Sequence, residues 1–370
     1  MDAEFRLIEV PSGADLAGPA AWMLAGMADV ERADKLAVFG QADLARTEHQ
    51  LAGEWADCRY SRKRWVVATH VDAPTRVVGM ARLELPTSGN THLADLMLVV
   101  DPGWRRGGLG GRLLDWAEAT ALQAGRTTLL TYIDAGVPLE GGPVLSAPEG
   151  GTLAGDLPGV ALARDRGYRL EQVERLTVLD VPVGADALAR AEAQVAAPLV
   201  GYELHTWVDG IPTEWHGRYA DLVAEFLAAA PMAGIAVETE PWDADRLRAH
   251  LDSVRRQGLT LIVTAAEHVA SGRLVASSDL AGHPRGLDAA MQGMTLVLAG
   301  HRGHRLGMRV KLANLRTLAR VRPDVRRIHT GNAAENAPML AINDTLGFRD
   351  EGVAATFQRR LAAPDVAVTR

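Results

Sequence analysis

The sequence predicts an α/β protein in which one series of strands and helices occurs twice. Three observations lead to this prediction. An offset of 197 residues, the difference between positions 302 and 105, aligns about 45 residues of the first half with the second half. Each half carries a short apolar strand that runs through a loop of glycine and arginine into an amphipathic helix. Strand and helix patterns follow one another in the same order in both halves, which is typical of an α/β sheet.

Length and composition fit a globular chain of two domains. The chain has 370 residues, of which 48% are hydrophobic and 23% are charged, and domains usually span about 100–200 residues. The net charge of −7 gives no reason to expect a nucleic-acid or membrane partner. No apolar run approaches the ~20 residues of a membrane span, and the first residues lack the basic and apolar regions of a signal peptide. We therefore expect a cytoplasmic protein.

Cysteine and histidine usage argues against a metal centre. Cys58 is the only cysteine, so an internal disulfide and a cysteine-based metal cluster are excluded. The eleven histidines show no metal-ligand spacing. The sequence therefore predicts no metal. The abundance of alanine, arginine, glycine and valine is typical of a GC-rich bacterial genome.

Each half predicts the same elements in order. In the first half these are helical residues 29–60, a strand hairpin at 65–70 and 77–85, the glycine loop with its helix, and a strand at 127–133. In the second half they are helices at 219–230 and 243–257, a hairpin at 259–265 and 274–280, the second glycine loop, and a strand at 327–330. A short helix that ends in glycine plus an aromatic residue, and then a last strand, close each half.

The repeat also predicts where the domains divide. We expect an N-terminal domain over residues 1–182, a linker over 183–200 and a C-terminal domain over 201–370. Pro182, Gly184, an alanine-rich helical run and Pro198 mark the connector at residues 181–198. Residues 136–159 are rich in glycine and proline and are predicted to be a loop that the second half lacks.

The two glycine loops predict anion-binding sites. A strand that enters a helix through a glycine-rich turn presents free backbone N–H groups at the positive end of the helix dipole, which suits pyrophosphate. Neither loop ends in the GK[ST] sequence of a Walker A motif. The order R-x-x-G-x-G after several strands also differs from the Rossmann fingerprint.

The first loop resembles the acetyl-CoA-binding motif of the GCN5-related N-acetyltransferases (GNAT). It has the pattern V-x-P-x-x-R-x-x-G-x-G, formed by Val100, Pro102, Arg105, Gly108 and Gly110. In the second half, TGNAAENAPMLAINDTLGF at residues 330–348 resembles that family's closing segment, in which an asparagine starts a helix that ends in a Gly-Phe turn. The double copy resembles tandem members of the family, which include the mycothiol synthase type.

The resemblance implies two tandem GNAT folds, each a mixed, mostly antiparallel sheet that is splayed open and flanked by helices. It implies acetyl-CoA as the cofactor, with pantetheine along the splayed strand and pyrophosphate in the loop. The implied cofactor-binding residues of the first copy are Leu98, Val99, Val100, Arg105, Arg106, Gly107, Gly108, Leu109, Gly110 and Gly111. Those of the second copy are Leu296, Val297, Arg302, Gly303, His304, Arg305, Gly307, Met308 and Asn336, the last matching the family's pantetheine-contacting asparagine.

The second loop leaves two hypotheses open. Arg305 stands where the family has a glycine. Its N–H group is retained and its guanidinium could contact phosphate, but its bulk could also close the loop and leave the site vestigial.

Candidate catalytic residues are fewer. The family often uses a tyrosine acid four residues before the closing glycine, and here those positions hold Ala163 and Asn343. Asn343 could still form a hydrogen bond to the sulfur. The general base, which takes a proton from the substrate ammonium, is expected early on the glycine-loop strand, where His92 and Asp95 are the candidates. Strand alternation puts His92 on the expected face and Asp95 one residue off it, unless a bulge re-aims it.

Three functional hypotheses remain open. The first is an acetyl-CoA-dependent N-acetyltransferase that acetylates a primary amine of a small molecule by direct attack in a ternary complex, with its cofactor in the N-terminal domain. The second places the chemistry in the C-terminal domain and makes the N-terminal domain structural. The third is an acyl-CoA-binding or scaffold protein without turnover. We expect a monomer or homodimer.

Overall fold

The computed structural model describes residues 4–137, 141–229, 234–284 and 286–361. The chain divides into two compact units. Unit 1 contains the described residues up to Val173, residues 234–238 and residues from Ala354 onward, and unit 2 contains the others. Each unit is a mixed, mostly antiparallel sheet flanked by helices, as predicted. Among the described helices, none combines the length and apolar character that a membrane crossing requires.

Unit 1 begins with a strand that the sequence analysis missed. Its elements are β1 (Phe5–Glu9), α1 (Ala21–Phe39), α2 (Glu48–Trp55), β2 (Ser61–His70), β3 (Ala73–Pro86), β4 (Leu93–Val100), α3 (Leu109–Gln123), β5 (Thr128–Gly136), β6 (Val144–Ser146), β7 (Thr152–Ala154), α4 (Pro158–Asp165) and the start of β8 (Arg169–Asp180). The predicted helical region at residues 29–60 is two helices, and α2 begins with a capping box between Thr47 and Gln50.

Unit 2 repeats this order. Its elements are α5 (Ala185–Gln194), β9 (Tyr202–Val208), α6 (His216–Ala229), α7 (Ala244–Arg256), β10 (Thr260–His268), β11 (Arg273–Gly282), β12 (Ala289–Val297), α8 (Leu306–Val321), β13 (Arg327–Ala333), α9 (Ala337–Leu346) and the start of β14 (Arg349–Arg360). β9 was also missed by the sequence analysis. Residue 230, the predicted end of α6, lies outside the described residues.

The sheet order is the same in the two units apart from the closing strands. Unit 1 has the order β1-β2-β3-β4-β5, followed by its parts of β14 and β8. Unit 2 has the order β9-β10-β11-β12-β13, followed by its parts of β8 and β14. In both units the first four strands are antiparallel and the fifth is parallel to the fourth.

The unit boundaries differ from the predicted domain boundaries of 1–182 and 201–370. The chain leaves unit 1 at residue 174, within β8, contributes residues 234–238 to it, and returns to it again at residue 354, within β14. The predicted linker 183–200 contains α5, whose Ala191 is buried in the core of unit 2. The physical reason is that the closing strands belong to the sheet they pair with rather than to the half of the sequence that encodes them.

The predicted loop at residues 136–159 contains a short hairpin of its own. Strands β6 and β7 pair in register from Val144 opposite Ala154 to Ser146 opposite Thr152. Residues 138–140 of this stretch lie outside the described residues.

Apolar clusters hold the central strands of each unit in place. In unit 1, α1 packs on the sheet through a cluster that includes Leu24, Met27 and Trp65, all at most 1% exposed. In unit 2, α6, α7 and α8 bury Leu222, Ile262 and Val310 to the same extent. Burial of this kind contributes roughly 1.5–3 kcal/mol per large apolar side chain. The strands that lead into the glycine loops therefore lie on a rigid base.

Candidate active sites

In unit 1, β4 and β5 separate about halfway along their length. Their parallel pairing runs from Leu93 opposite Thr128 to Leu96 opposite Thr131 and then ends, within the described residues. On its other side, β4 stays paired with β3 as far as Val100. Residues 97–100 of β4 therefore form an open edge of about four residues, ~13 Å long. The backbone groups of this edge face the space where β4 and β5 separate, which we call the gap. Leu98, Val99 and Val100 of the predicted cofactor set lie on this edge.

The first glycine loop leads from this edge into α3. Its two left-handed positions are Arg106 (φ 67°) and Gly108 (φ 83°), and Gly108 is the N-cap residue of α3. Arg105 fixes the loop to the sheet, because its Nε donates to the Val100 carbonyl at 3.1 Å and its Nη2 to Asp34 at 2.6 Å. The first α3 amides, which have no partner inside the helix, are thus directed outward beside the gap.

The second glycine loop has the same backbone conformation with its residues exchanged. In unit 2 the left-handed positions are Gly303 (φ 86°) and Arg305 (φ 57°), and Arg305 is the N-cap residue of α8. Arg302 reaches back to the Val297 carbonyl at 3.5 Å, as Arg105 does in unit 1. Each loop therefore has one glycine and one arginine at its two left-handed positions. The exposed Arg305 leaves the shape of the loop unchanged.

A glycine in the first turn of each helix allows the closing helix to pack closely. A Cβ on Gly110 would lie 3.3 Å from Leu162 of α4, and a Cβ on Gly307 would lie 3.1 Å from Ile342 of α9. The closing helix of each unit therefore packs directly against the helix that starts at the loop. Leu109 and Gly111 of α3 and Met308 of α8 complete the predicted first turns.

The gap also recurs in unit 2. β12 and β13 pair only from Ala289 opposite Arg327 to Met291 opposite His329, within the described residues. Leu296 and Val297, predicted to contact the cofactor, lie beyond the end of this pairing. Both units thus join an open strand edge to a helix start whose first amides have no partner inside the helix.

Arg305→Gly is expected to stabilise the protein by about 0.5–1 kcal/mol, since a left-handed conformation is costly for any residue with a Cβ. Arg302→Gly is the matched control, because Arg302 is extended and glycine there only adds freedom to the unfolded chain. The measurement is the free energy of unfolding in denaturant for both variants. A loss of stability in Arg305→Gly would show that the Arg305 side chain makes contacts that hold the loop.

Aromatic rings lie behind each loop. In unit 1, His70 lies 5.4 Å from Phe5 and 4.8 Å from Trp104 between ring centroids. In unit 2, the centroid of the Tyr202 ring lies within 5.7 Å of the ring centroids of His268, His301 and His304. Tyr202 also forms a hydrogen bond of 3.0 Å to His301. Burial, and then the neighbouring His268 and His304, lower the pKa of His301.

Asp95 lies in a cluster of charged side chains beside the unit 1 gap. It is half-buried on β4, one residue before the β4–β5 pairing ends, and Tyr132 of β5 donates a hydrogen bond of 2.5 Å to it. Burial raises the pKa of Asp95 to about 6, with smaller contributions from Glu84 and Glu54 that also raise it; the Tyr132 bond and Arg46 oppose this shift. A carboxylate of this pKa is ionised at neutral pH and can accept a proton.

The same cluster holds a buried arginine. Arg82 of β3 is 5% exposed, contacts Glu54 at 3.1 Å and Glu31 at 3.3 Å, and lies over the Trp65 ring. Its charge is therefore neutralised within the cluster. The sequence analysis did not single out Tyr132, Glu54 or Arg82, because they come from three separate elements.

His92 lies at the opposite end of β4 from the loop. Its Nε2 is 2.7 Å from the Ala236 carbonyl, so Nε2 carries the hydrogen and donates it. It lines an open cavity of about 510 Å³ together with Thr127, Glu238 and Arg360. Four residues, or ~13 Å of strand, separate it from the start of the gap. The structure therefore does not bring His92 together with the loop, whereas Asp95 adjoins the gap.

Asn343 is buried and both ends of its amide are engaged. Lys311 of α8 donates to its Oδ1 at 2.8 Å, and its Nδ2 donates to Asn332 at 2.7 Å. Asn336, predicted to contact pantetheine, is exposed and caps α9 through a contact of 3.4 Å to the Met339 N–H. Ala163, the corresponding position in unit 1, is a buried apolar residue of α4.

One group of unit 2 side chains has ligand atoms close enough for a metal ion. Glu203, His205 and Glu267 each offer one such atom within 4.8 Å of the others. His205 and Glu267 already share a hydrogen bond of 2.8 Å, and Arg218 lies 3.6 Å from Glu267. The arrangement is an ion-pair network on strands β9 and β10.

Comparison with known proteins agrees with this geometry. Residues 27–138 match the model of the acetyltransferase (GNAT) family. The structure is similar to that of a tandem GNAT protein from the clavulanic acid biosynthesis pathway, solved without AcCoA. The similarity covers 97% of this chain and 99% of that chain, with 25% sequence identity and a TM-score of 0.75. Residues 27–138 are a GNAT domain, and the chain as a whole has a tandem GNAT fold.

Other solved structures support the fold of this tandem GNAT protein. A GCN5-related N-acetyltransferase from Sphaerobacter thermophilus is 16% identical, with a TM-score of 0.61 and coverage of 96% of each chain. Among the curated proteins, none matches the sequence. The GNAT domain at residues 27–138 supports an acyltransferase.

Proposed function

We propose that this tandem GNAT protein is an acetyl-CoA-dependent N-acetyltransferase that acetylates a primary amine of a small molecule by direct attack in a ternary complex. The observation that supports this most is the junction in unit 1 between the β4 edge and the outward amides at the start of α3. An extended amide-bearing arm fits the edge as an added strand would. A pyrophosphate fits the helix start.

The residues of unit 1 are suited to bind acetyl-CoA as a substrate. Gly108 has no atom within 4 Å of the position a Cβ would take, so the space beside the N-cap residue is open. Arg106, Gly107 and Gly108 are exposed, which leaves their N–H groups accessible. Arg105, by contrast, is committed to Asp34 and the Val100 carbonyl. We therefore assign phosphate binding to backbone amides and loop positioning to Arg105.

Asp95 is the proposed proton acceptor of unit 1. It lies where the gap opens, and its raised pKa matches a base that works near neutral pH. It takes one proton from the substrate ammonium, and the neutral nitrogen then attacks the thioester carbonyl. The C–S bond breaks, and CoA leaves as the thiol with the second proton that the nitrogen loses. Most of the rate is expected from holding these two groups in the attack geometry.

Acetyl transfer is tested by following thiol release from acetyl-CoA with a panel of primary amines. The panel contains glucosamine, spermidine, an aminoglycoside and a dipeptide amide. We expect amine-dependent thiol release with at least one class, and an acetylated amine as the product by mass spectrometry. Tight CoA binding without thiol release across the whole panel would favour the acyl-CoA-binding protein instead.

A further inference from the structure

Strand β12 of unit 2 carries a bulge at the mouth of its gap. Ser278 of β11 pairs with Thr295 of β12, and Leu280 pairs with Gln292. Two residues of β12, Gly293 and Met294, therefore lie opposite the one β11 residue between Ser278 and Leu280. The β12–β13 pairing ends at Met291, two residues earlier. In unit 1 the corresponding β3–β4 pairing runs without a shift from Gly79 to Glu84. Bulges often redirect a side chain next to an active site.

The residue opposite this bulge is Asp279, and its carboxylate lies against Gly293. A Cβ at Gly293 would lie 2.1 Å from Asp279 Oδ2, so a side chain there would displace the carboxylate from its present position. The Met294 N–H donates a hydrogen bond to it. As a whole residue, Asp279 is partly exposed.

The surroundings of Asp279 leave its charge poorly compensated. Across the described ranges, no lysine or arginine nitrogen lies within 4.0 Å of it. Lys311 of α8 and Tyr219 of α6 are the titratable groups that interact with it from neighbouring helices. Burial raises the pKa of Asp279 to about 7, against the Met294 hydrogen bond and the Lys311 charge, which lower it. Burial likewise lowers the pKa of Lys311 to about 7.

The two units carry opposite charges at this sheet position. The 197-residue offset aligns Asp279 with Arg82, which is neutralised by Glu31 and Glu54. Asp279 has no such partner, and its neighbours on the α6 side are hydroxyls, with Tyr219 and Ser277 sharing a hydrogen bond of 3.1 Å. A carboxylate beside hydroxyl groups suits a cation that also donates hydrogen bonds, such as a primary ammonium.

We propose that unit 2 contains a second acetyl-transfer site in which Asp279 accepts the proton of a primary ammonium substrate. This rests on the proposed function. Asp279 takes one proton from the ammonium, and the nitrogen lone pair then forms a bond to the carbonyl carbon of acetyl-CoA. The C–S bond breaks, and the second proton lost by the nitrogen ends on the departing sulfur, which gives an N-acetyl amine and CoA thiol.

The test uses the full chain with Gly108→Asp and Asp95→Asn as the parent. These changes weaken CoA binding in unit 1 and remove its proposed base, so that the remaining turnover reports on unit 2. In this background, Asp279→Asn is expected to lower kcat about 100-fold with the most active amine of the panel. CoA binding by unit 2, measured by calorimetry, should not change. The parent should lose activity as the pH falls through about 7, and Asp279→Asn should remove that dependence. Asp288→Asn, at an exposed partner of Arg327, is the matched control and should keep the parent rate.

Unfolding provides a readout that does not depend on turnover. Because the pKa of Asp279 is raised in the folded state, the stability it contributes is complete below its unfolded pKa of about 3.9. That stability is lost as the pH rises through about 7. The melting temperature of Asp279→Asn should therefore rise relative to the parent between pH 5 and pH 8.

Two results would overturn the proposal while leaving the proposed function intact. One is an Asp279→Asn rate within twofold of the parent, and the other is parent activity that is independent of pH between 5.5 and 8. Absence of turnover in the wild type with every amine would overturn the proposed function and this proposal together.

Discussion

Asp95→Asn is expected to lower the kcat of the unit 1 site by about 10²–10⁴-fold, the range found when a general base is removed. Asparagine has almost the same shape and can still accept the hydrogen bond from Tyr132, so the fold and CoA affinity should be kept. The measurement is the steady-state rate in the Asp279→Asn background, which leaves unit 1 as the working site. Asp72→Asn, at an exposed turn residue, is the control and should match its parent.

The pH dependence of unit 1 follows from the same carboxylate. Because the pKa of Asp95 is raised to about 6, it is ionised above pH 6 and protonated below it. The rate should fall tenfold per pH unit below 6 in the parent enzyme, and Asp95→Asn should remove this acid limb. An Asp95→Asn enzyme that keeps more than a third of the rate, with the acid limb unchanged, would assign the proton to another group. His92 is the next candidate from sequence.

Gly108→Asp is expected to weaken CoA binding in unit 1 by about 10–100-fold. A carboxylate at the α3 N-cap position would face the phosphates, and like charges a few ångström apart near a protein surface repel by about 1.4–2.8 kcal/mol. Gly108→Asn is the matched control, since asparagine has the same size and tolerates the left-handed conformation of φ 83°. Calorimetric titration with CoA should show the loss in Gly108→Asp and near-wild-type affinity in Gly108→Asn.

Equal losses in both variants would contradict this electrostatic explanation and indicate that Gly108 acts through its backbone conformation. A normal affinity in both would place the phosphates elsewhere. The two substitutions differ only in charge, so their comparison separates these explanations without a new packing contact, because no atom lies within 4 Å of a Cβ at this position.

The sequence predicted the repeated elements because they are locally encoded. The strand–loop–helix of each unit has an apolar run, a glycine-containing turn and an amphipathic helix within about sixteen residues. The closing turn was found for the same reason, since Gly347 is a left-handed C-cap residue that ends α9. Each of these signals is contained in one stretch of chain.

The missed features depend on pairing between distant residues. β1 and β9 are short strands that form by pairing with β2 and β10, which lie about 60 residues further along the chain. The exchange of closing strands between units has no local signal at all. The bulge opposite Asp279 arises from a register shift between two strands, which the spacing within β11 cannot reveal.

The second loop shows where sequence and structure complement each other. Alignment alone shows that an arginine replaces a glycine at position 305. The backbone shows that Gly303 and Arg305 repeat the left-handed conformations of Arg106 and Gly108, so the loop shape is kept while its glycine has moved. This is why we propose that the second loop also binds CoA.

The stoichiometry of CoA binding to the wild-type chain, measured by isothermal titration calorimetry, tests directly whether both loops bind the cofactor. If each unit has a phosphate-binding loop, we expect two CoA molecules per chain, and one per chain in Gly108→Asp at concentrations that saturate unit 2. No binding, or a single site that Gly108→Asp leaves unchanged, would contradict it.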